Sequence, residues 1–294
     1  MPSKGFENNQ ENSKQNHAEN GAALYIVATP IGHLGDVTAR ALETLKTAGS
    51  IACEDTRVSK KLLNHFGIKT PLTTYHEHNA VQQRPKLLEK LEQGESVALI
   101  SDAGTPLISD PGYKLVLEAL ERGIRIVPIP GASSVITSLM AAGLPTDQFA
   151  FLGFLPTKSS QLQELLAPWK DVPATMVCFS TPHKIIAHLN GIMDIVGECD
   201  VVIARELTKL HEEYIRGPIG EVTKRLTAGD KLKGETVLAF RASVTTSQDD
   251  DGAMDEWLAA LLEHMPVKSA VDFAVKHMGS SKNEIYQRAL ELKK

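Results

Sequence analysis

The chain has 294 residues, with 31 Lys plus Arg against 36 Asp plus Glu for a formal charge of −5, and 42% of it is hydrophobic. Such a length and composition predict more than one buried core and exclude global disorder, while the acidic balance argues against a protein that coats nucleic acid everywhere and leaves room for a local basic patch. No apolar run approaches the about 20 residues of a membrane span and no basic-then-apolar leader opens the chain, so a cytoplasmic location is expected.

Residues 1–22 hold Asn, Gln, Glu, Lys and Ser with almost no aliphatic side chain, too little apolar surface to offset ordering, and are expected to form a disordered tail. From Leu24 short β-rich runs alternate with amphipathic segments. A strand is predicted from Leu24 to Ala28, then a helix with Val37, Ala41, Leu45 and Ala48 on one face, a strand from Ile51 to Cys53 and a helix from Thr56 to Phe66. A helix from Gln82 to Gln93, a strand from Val97 to Ile100, a helix from Pro111 to Arg122 and a strand from Ile124 to Ile129 complete an α/β domain over 23–146. Its βαβ alternation requires crossover helices and a largely parallel sheet.

The run F-A-F-L-G-F-L-P-T-K opens a second α/β domain over 147–243. Strands are predicted from Thr175 to Phe179, Val201 to Ala204, Glu213 to Arg216 and Thr236 to Arg241, with helices near Pro182 to Ile195 and Ile219 to Leu226. The third strand follows the second so closely that antiparallel pairing is expected. Residues 244–256, with S-Q-D-D-D-G among them, read as a linker. In 257–294 three apolar helical faces follow one another and Ser281 with Glu284 fits a capping box, which predicts a three-helix, helix-turn-helix-like appendage. From Val267 onward it carries six basic residues against three acidic ones, a candidate RNA-facing surface on an acidic protein. Cys53, Cys178 and Cys199 are too few and too scattered for a disulfide framework or a zinc ribbon and read as buried thiols.

Three Gly, Pro and Ser-rich loops follow predicted strands: T-P-I-G-H-L-G-D (Thr29 to Asp36), S-D-A-G-T-P-L-I-S-D-P-G (Ser101 to Gly112) and P-G-A-S-S (Pro130 to Ser134). Loops at the carboxyl ends of strands are where open α/β sheets place ligands, and glycine lets a backbone approach one closely. A nucleotide-like ligand is favoured, yet neither G-x-G-x-x-G nor G-x-x-x-x-G-K-[ST] occurs; the alternative is that the loops are only tight βα turns. In C-E-D-T-R-V-S-K-K, a helix from Thr56 puts Arg57, Lys60, Lys61 and Asn64 on one basic face beside Glu54 and Asp55, for polyanion contact or as a solvated face with local ion pairs. In Y-H-E-H-N, His76 and His78 share a side of an extended segment, for substrate contact or as plain surface, without a third group to make a metal site. A-R-E-L-T-K-L-H-E-E and F-S-T-P-H-K are strand-to-helix junctions of the second domain, the first braced by local ion pairs and the second able to face a cleft.

Taken in order, T-P-I-G-H-L-G-D, A-C-E-D-T-R, S-D-A-G-T-P-L-I-S-D-P-G, P-G-A-S-S, A-R-E-L-T-K and K-G-E resemble the tetrapyrrole methylase family, and within it the branch that methylates a cytidine ribose 2′-hydroxyl in the decoding region of small-subunit ribosomal RNA. The resemblance runs from about Leu24 to the C-terminus. It implies a two-domain tetrapyrrole-methylase-like α/β fold with S-adenosylmethionine in the cleft between the domains, a homodimer, and the small ribosomal subunit with its rRNA as partner. The cofactor positions it implies are Pro30, Ser101, Asp102, Ala103, Gly104, Pro106, Ser109, Asp110, Ala132, Ser133, Phe179, Leu207 and Thr208. Two departures stand out: Thr105 replaces the aspartate of the family's G-D-P, and F-S-T-P-H-K replaces F-E-S-P-H-R.

An activated methyl needs no metal, only an aligned hydroxyl and a group that takes its proton. Glu54, Asp55, His76 and His78 are the candidates for that group, and Arg57, Lys60, Lys61, Lys276, Lys282 and Arg288 for holding RNA. The competing readings are a methylase of corrinoid or porphyrin precursors, a metal-dependent phosphohydrolase using Asp102, Asp110 and the two histidines, and a non-catalytic RNA- or ribosome-binding protein.

Overall fold

The computed structural model describes residues 22–229, 232–242, 250–278 and 282–292, which form two compact units divided after Ala242. The tail read over 1–22 lies almost wholly outside the described residues, as does Ser281 of the capping box.

In the first lobe of the larger unit, β1 (Ala23–Val27), β2 (Ser50–Cys53), β3 (Leu72–Thr74), β4 (Val97–Ile100) and β5 (Arg125–Ile129) form a parallel sheet in the order β3-β2-β4-β1-β5. The connecting helices are α1 (Ala39–Thr47), α2 (Thr56–His65), α3 (Ala80–Glu92) and α4 (Tyr113–Glu121), with α5 (Ser134–Met140) after β5. Successive strand residues point to opposite faces, so the four buried residues of β4 divide between two cores. Ala98 and Ile100 join Ala41, Leu45 and Leu63 on one face, while Val97 and Leu99 join Leu87, Leu88, Leu91 and Leu115 on the other.

The second lobe holds β6 (Phe149–Phe154), β7 (Thr175–Ser180), β8 (Cys199–Arg205), β9 (Glu213–Pro218) and β10 (Thr236–Ala242) in the order β6-β7-β10-β8-β9. Only β6 and β7 run parallel; β10 is antiparallel to both neighbours, and β8 and β9 pair antiparallel as their short separation required. Helices α6 (Ser159–Leu166), α7 (Ile185–Val196) and α8 (Ile219–Ala228) cover one face, burying Met176, Cys178, Ile203 and Phe240. The other face carries Val177, Val202, Ala204, Val237 and Ala239, which pack against Ile31, Val135, Leu139 and Ala142 of the first lobe. That shared core joins the lobes into one unit.

The smaller unit contains α9 (Asp250–His264), α10 (Val267–Met278) and α11 (Lys282–Leu292) around Leu258, Val271, Ala274, Ile285 and Ala289. Helix α9 begins at Asp250, inside the run expected to be a linker, so the stretch from Asp250 to Asp255 is helical. Its acidic residues fall in the first turns of a helix, where negative charge is favoured. All three cysteines are buried and free, and burial pushes their thiols up from the ordinary value, which keeps them inert.

Candidate functional site

The three glycine-rich loops of the first lobe are bonded to one another. Thr29 and Gly104 exchange backbone hydrogen bonds at 2.8 and 3.1 Å, and the Thr105 hydroxyl donates to the Ala132 carbonyl at 3.1 Å. Thr105 thus ties the loop after β4 to the loop after β5. Gly104 takes φ +81°, a conformation that favours glycine, and a Cβ there would press on Ile31 Cγ2 at 3.2 Å.

Between these loops and the second sheet lies a cavity of about 360 Å³, within the usual range for a small-molecule site. The loop after β4 supplies the wall from Asp102 to Thr105 and from Ile108 to Asp110; Ser133 to Val135 and Ile31 complete the first-lobe side. The second lobe supplies Phe179 and Ser180, Ala204 and Leu207, and Gly234 to Val237, with Phe154 edge-on to Phe179 at 5.1 Å. Every charged side chain in this lining is acidic: Asp102, Asp110 and Glu235. A cavity of that polarity favours a cationic ligand over a phosphate.

Of the predicted cofactor positions, Asp102, Ala103, Gly104, Ser109, Asp110, Ser133, Phe179 and Leu207 meet in the cavity wall. Pro30, Ser101, Pro106, Ala132 and Thr208 stand behind it. Ser101 is buried with its hydroxyl 3.2 Å from the Ala103 carbonyl, and Ala132 receives the Thr105 bond. The Thr208 hydroxyl accepts the His33 amide at 3.0 Å and so holds the two lobes together. Close by, a Cβ on Gly32 would lie 2.8 Å from the Leu207 carbonyl.

Sequence reasoning missed Thr236, Val237, Glu235 and Phe154. Strand register brings Thr236 beside Ser180, and Val237 between Phe179 and Ala204, and nothing in the sequence reports that register. The Ser180 hydroxyl lies 2.8 Å from Nδ1 of the buried His188, whose pKa burial pushes down. The bracing in A-R-E-L-T-K-L-H-E-E is specific: Arg205 pairs with Glu213 at 3.1 Å, and Lys209 with Glu206 and Glu235 at 3.0 and 3.2 Å.

The four candidate proton acceptors do not line the cavity. Asp55 is the N-cap of α2: its carboxylate accepts the Arg57 amide at 2.8 Å and pairs with the Arg57 guanidinium at 2.7 Å. Those bonds hold its pKa down at about 2, which makes it a weak base. Burial pushes Glu54 up, with repulsion from Asp102 next. His76 and His78 lie in a turn rather than an extended segment, fixed by the His76 amide donating to Asn79 Oδ1 at 2.9 Å, with their rings 6.0 Å apart. Among the described residues no three His, Cys, Asp or Glu side chains converge as metal ligands would.

Arg57, Lys60, Lys61 and Asn64 form an exposed face of α2, as their spacing required. That helix starts at the cavity rim, because the Asp55 amide donates to Asp102 Oδ1 at 3.1 Å. In the smaller unit, Lys276 lies in α10 and Lys282 opens α11, with side chains outside the described set. Arg288 binds Asp255 at 2.8 and 3.0 Å, so its guanidinium fastens α11 to α9 and is not a free RNA contact. No helix among the described residues is long and apolar enough to cross a membrane.

Comparison with known proteins agrees with this architecture. Residues 23–223 match the family model for tetrapyrrole (corrin/porphyrin) methylases, and residues 248–293 match that for the RsmI C-terminal HTH domain. The ribosomal RNA small subunit methyltransferase I of Mesorhizobium japonicum is 48% identical over 272 residues, 92% of each chain. Its namesake in Escherichia coli O157:H7 is 44% identical over 91% of this chain and 94% of its own. Among solved structures, uroporphyrin-III C-methyl transferase of Thermus thermophilus complexed with S-adenosyl homocysteine aligns with TM-score 0.54 at 16% identity, over 75% of this chain and 97% of that one. A conserved hypothetical protein of Aeropyrum pernix aligns with TM-score 0.62 at 16% identity, over 77% and 86%. At such identities these two structures speak for the fold alone.

Proposed function

The chain belongs to the tetrapyrrole (corrin/porphyrin) methylase family, whose methyltransferases use S-adenosylmethionine, and from that membership we propose that it methylates a cytidine ribose 2′-hydroxyl in the decoding region of small-subunit ribosomal RNA. The observation that carries this reading is an acid-lined cavity joined through Asp55 and Asp102 to an exposed basic helix face. A cationic methyl donor and a polyanionic acceptor thereby have adjoining places on one protein. The two relatives named for small-subunit ribosomal RNA, each matched over nine tenths of both chains, supply the substrate class.

The residues present fit the donor. Its sulfonium and ammonium groups are both cationic and match the carboxylates of Asp102 and Asp110, while Ile31, Val135, Phe179, Leu207 and Val237 offer an apolar bed. When bound, the donor supplies a methyl already activated on sulfur, whose S–C bond breaks as the O–C bond forms, the electron pair leaving on the neutral thioether.

The chain's own tasks are to hold the acceptor in line, exclude water and take up one proton. Exposed Arg57, Lys60 and Lys61 hold RNA phosphates, and the helical unit with Lys276 and Lys282 extends the contact over the small ribosomal subunit. The protein works as a cytoplasmic homodimer, a state supported by the family resemblance and by the exposed Tyr113, Leu117 and Leu120 along α4.

Transfer of labelled methyl from S-adenosylmethionine to small subunits lacking ribose methylation tests the proposal, with free RNA and tetrapyrrole precursors in parallel. An alkali-resistant labelled dinucleotide is the expected product. Label in a tetrapyrrole alone would overturn the substrate, and subunit binding without any transfer would return the protein to the non-catalytic reading.

A further inference from the structure

Glu54, Asp55, His76 and His78 stand outside the cavity wall, and the acid–base groups that line it are Asp102, Asp110 and Glu235. Glu235 is 77% exposed and tied to Lys209 at 3.2 Å. Asp102 is exposed at the rim and accepts the Asp55 amide, an interaction that anchors α2. Asp110 is half-buried and lines the cavity.

The backbone around Asp110 is built for presentation. Leu107 and Ser109 occupy left-handed conformations at φ 72° and 66°, unusual for any residue with a side chain, and Gly112 at φ 139° packs where a Cβ would lie 2.8 Å from Leu99 Cδ2. Left-handed backbone is strained for a residue with a side chain, and such strain gathers at functional sites. Here it flanks Asp110, one of the residues that line the cavity.

Resting on the ribose-methylation reading, we propose that the Asp110 carboxylate is the catalytic group that receives the proton of the attacking 2′-hydroxyl. As the hydroxyl oxygen bonds to the methyl carbon, its proton passes to a carboxylate oxygen of Asp110 and then to solvent, leaving the site ready for another turn. Burial pushes the Asp110 pKa up to about 6, opposed by the Ser101 hydrogen bond and reinforced by repulsion from Glu54 and Asp102. Glu54 just after β2 is the larger of the two repulsive influences, His76 acts on that glutamate rather than directly, and Glu235 on the second lobe is paired with Lys209. A base poised just below neutrality is ionised at pH 7 and still basic enough to accept the proton.

The test uses the full-length chain and purified small subunits. Asp110→Asn is expected to lower turnover at saturating S-adenosylmethionine by about 100-fold or more, beyond whatever calorimetric affinity for the donor is lost with the charge. Asp110→Glu is expected to restore part of the turnover. The wild-type rate should rise with pH through about 6, and this limb should vanish in Asp110→Asn. Because a raised carboxyl pKa makes ionisation unfavourable in the folded state, the unliganded Asn variant should melt no lower than wild type at pH 8, where a structural aspartate would leave it less stable. Retained turnover, or a loss confined to donor affinity, overturns the assignment of Asp110 while the ribose-methylation reading stands. A wild-type protein that methylates no subunit overturns both.

Discussion

The parallel sheet reaches the cavity with the loops beyond β1, β4 and β5, whereas the mixed sheet reaches it largely with residues still held in strands, Phe179 and Ser180 of β7, Ala204 of β8 and Thr236 and Val237 of β10. The loop after β4 includes the left-handed Leu107, Ser109 and Gly104 and carries the carboxylates Asp102 and Asp110. The strands hold their side chains in a fixed row, because Val237 pairs with Phe179 on one side and Ala204 on the other. One lobe therefore supplies chemistry and the other a rigid wall.

Gly104→Trp should break this arrangement most severely. The indole must enter at a left-handed position beside Ile31, where even a Cβ is crowded. The expected cost is about 3 kcal/mol, a loss of roughly 100-fold in donor affinity by calorimetry, with the circular dichroism spectrum unchanged. Binding within about threefold of wild type would show that the loop hub does not touch the donor.

Val237→Ala sharpens the contrast from the opposite wall. It removes two methyl groups from a surface that the β10 ladder still holds in place, so donor affinity should fall by about 1 kcal/mol, roughly fivefold, with the pH dependence of turnover unaltered. A loss as large as that of Gly104→Trp, or a displaced pH limb, would mean that the strands do more than support the ligand.

The same contrast explains what was legible in the sequence. Val97–Ile100 stands out because four apolar residues lie between polar loops, and the loop after it because Gly, Pro and Asp gather at a strand end. The strand at Leu72–Thr74 escaped because it is three residues long and only half-buried, with no alternation to display. The helices Ser134–Met140 and Ser159–Leu166 escaped because Ser, Thr and β-branched residues weaken the helical signal of the first and polar residues dilute that of the second. Val237 and Thr236 were visible as strand residues but not as site residues, because their place depends on register with β7 and β8, from about 30 to 60 positions away. Asp110 was legible as a loop carboxylate; its burial and left-handed neighbours required the fold.

Asp55→Ala should have the smallest effect on chemistry, and it separates rim from wall within the first lobe. The carboxylate caps α2 and holds Arg57, so its removal exposes helix amides and frees a guanidinium without altering the cavity lining. The melting temperature should fall by a few degrees, while turnover per folded molecule stays within about threefold of wild type. The pH sign follows from a depressed pKa: the stabilisation is present above the ordinary aspartate value and is lost as pH falls toward about 2. The difference in melting temperature between the two proteins should therefore be full near neutrality and shrink in acid. Loss of turnover comparable to that of Asp110→Asn, at an unchanged melting temperature, would move the proton acceptor from the cavity wall to its rim.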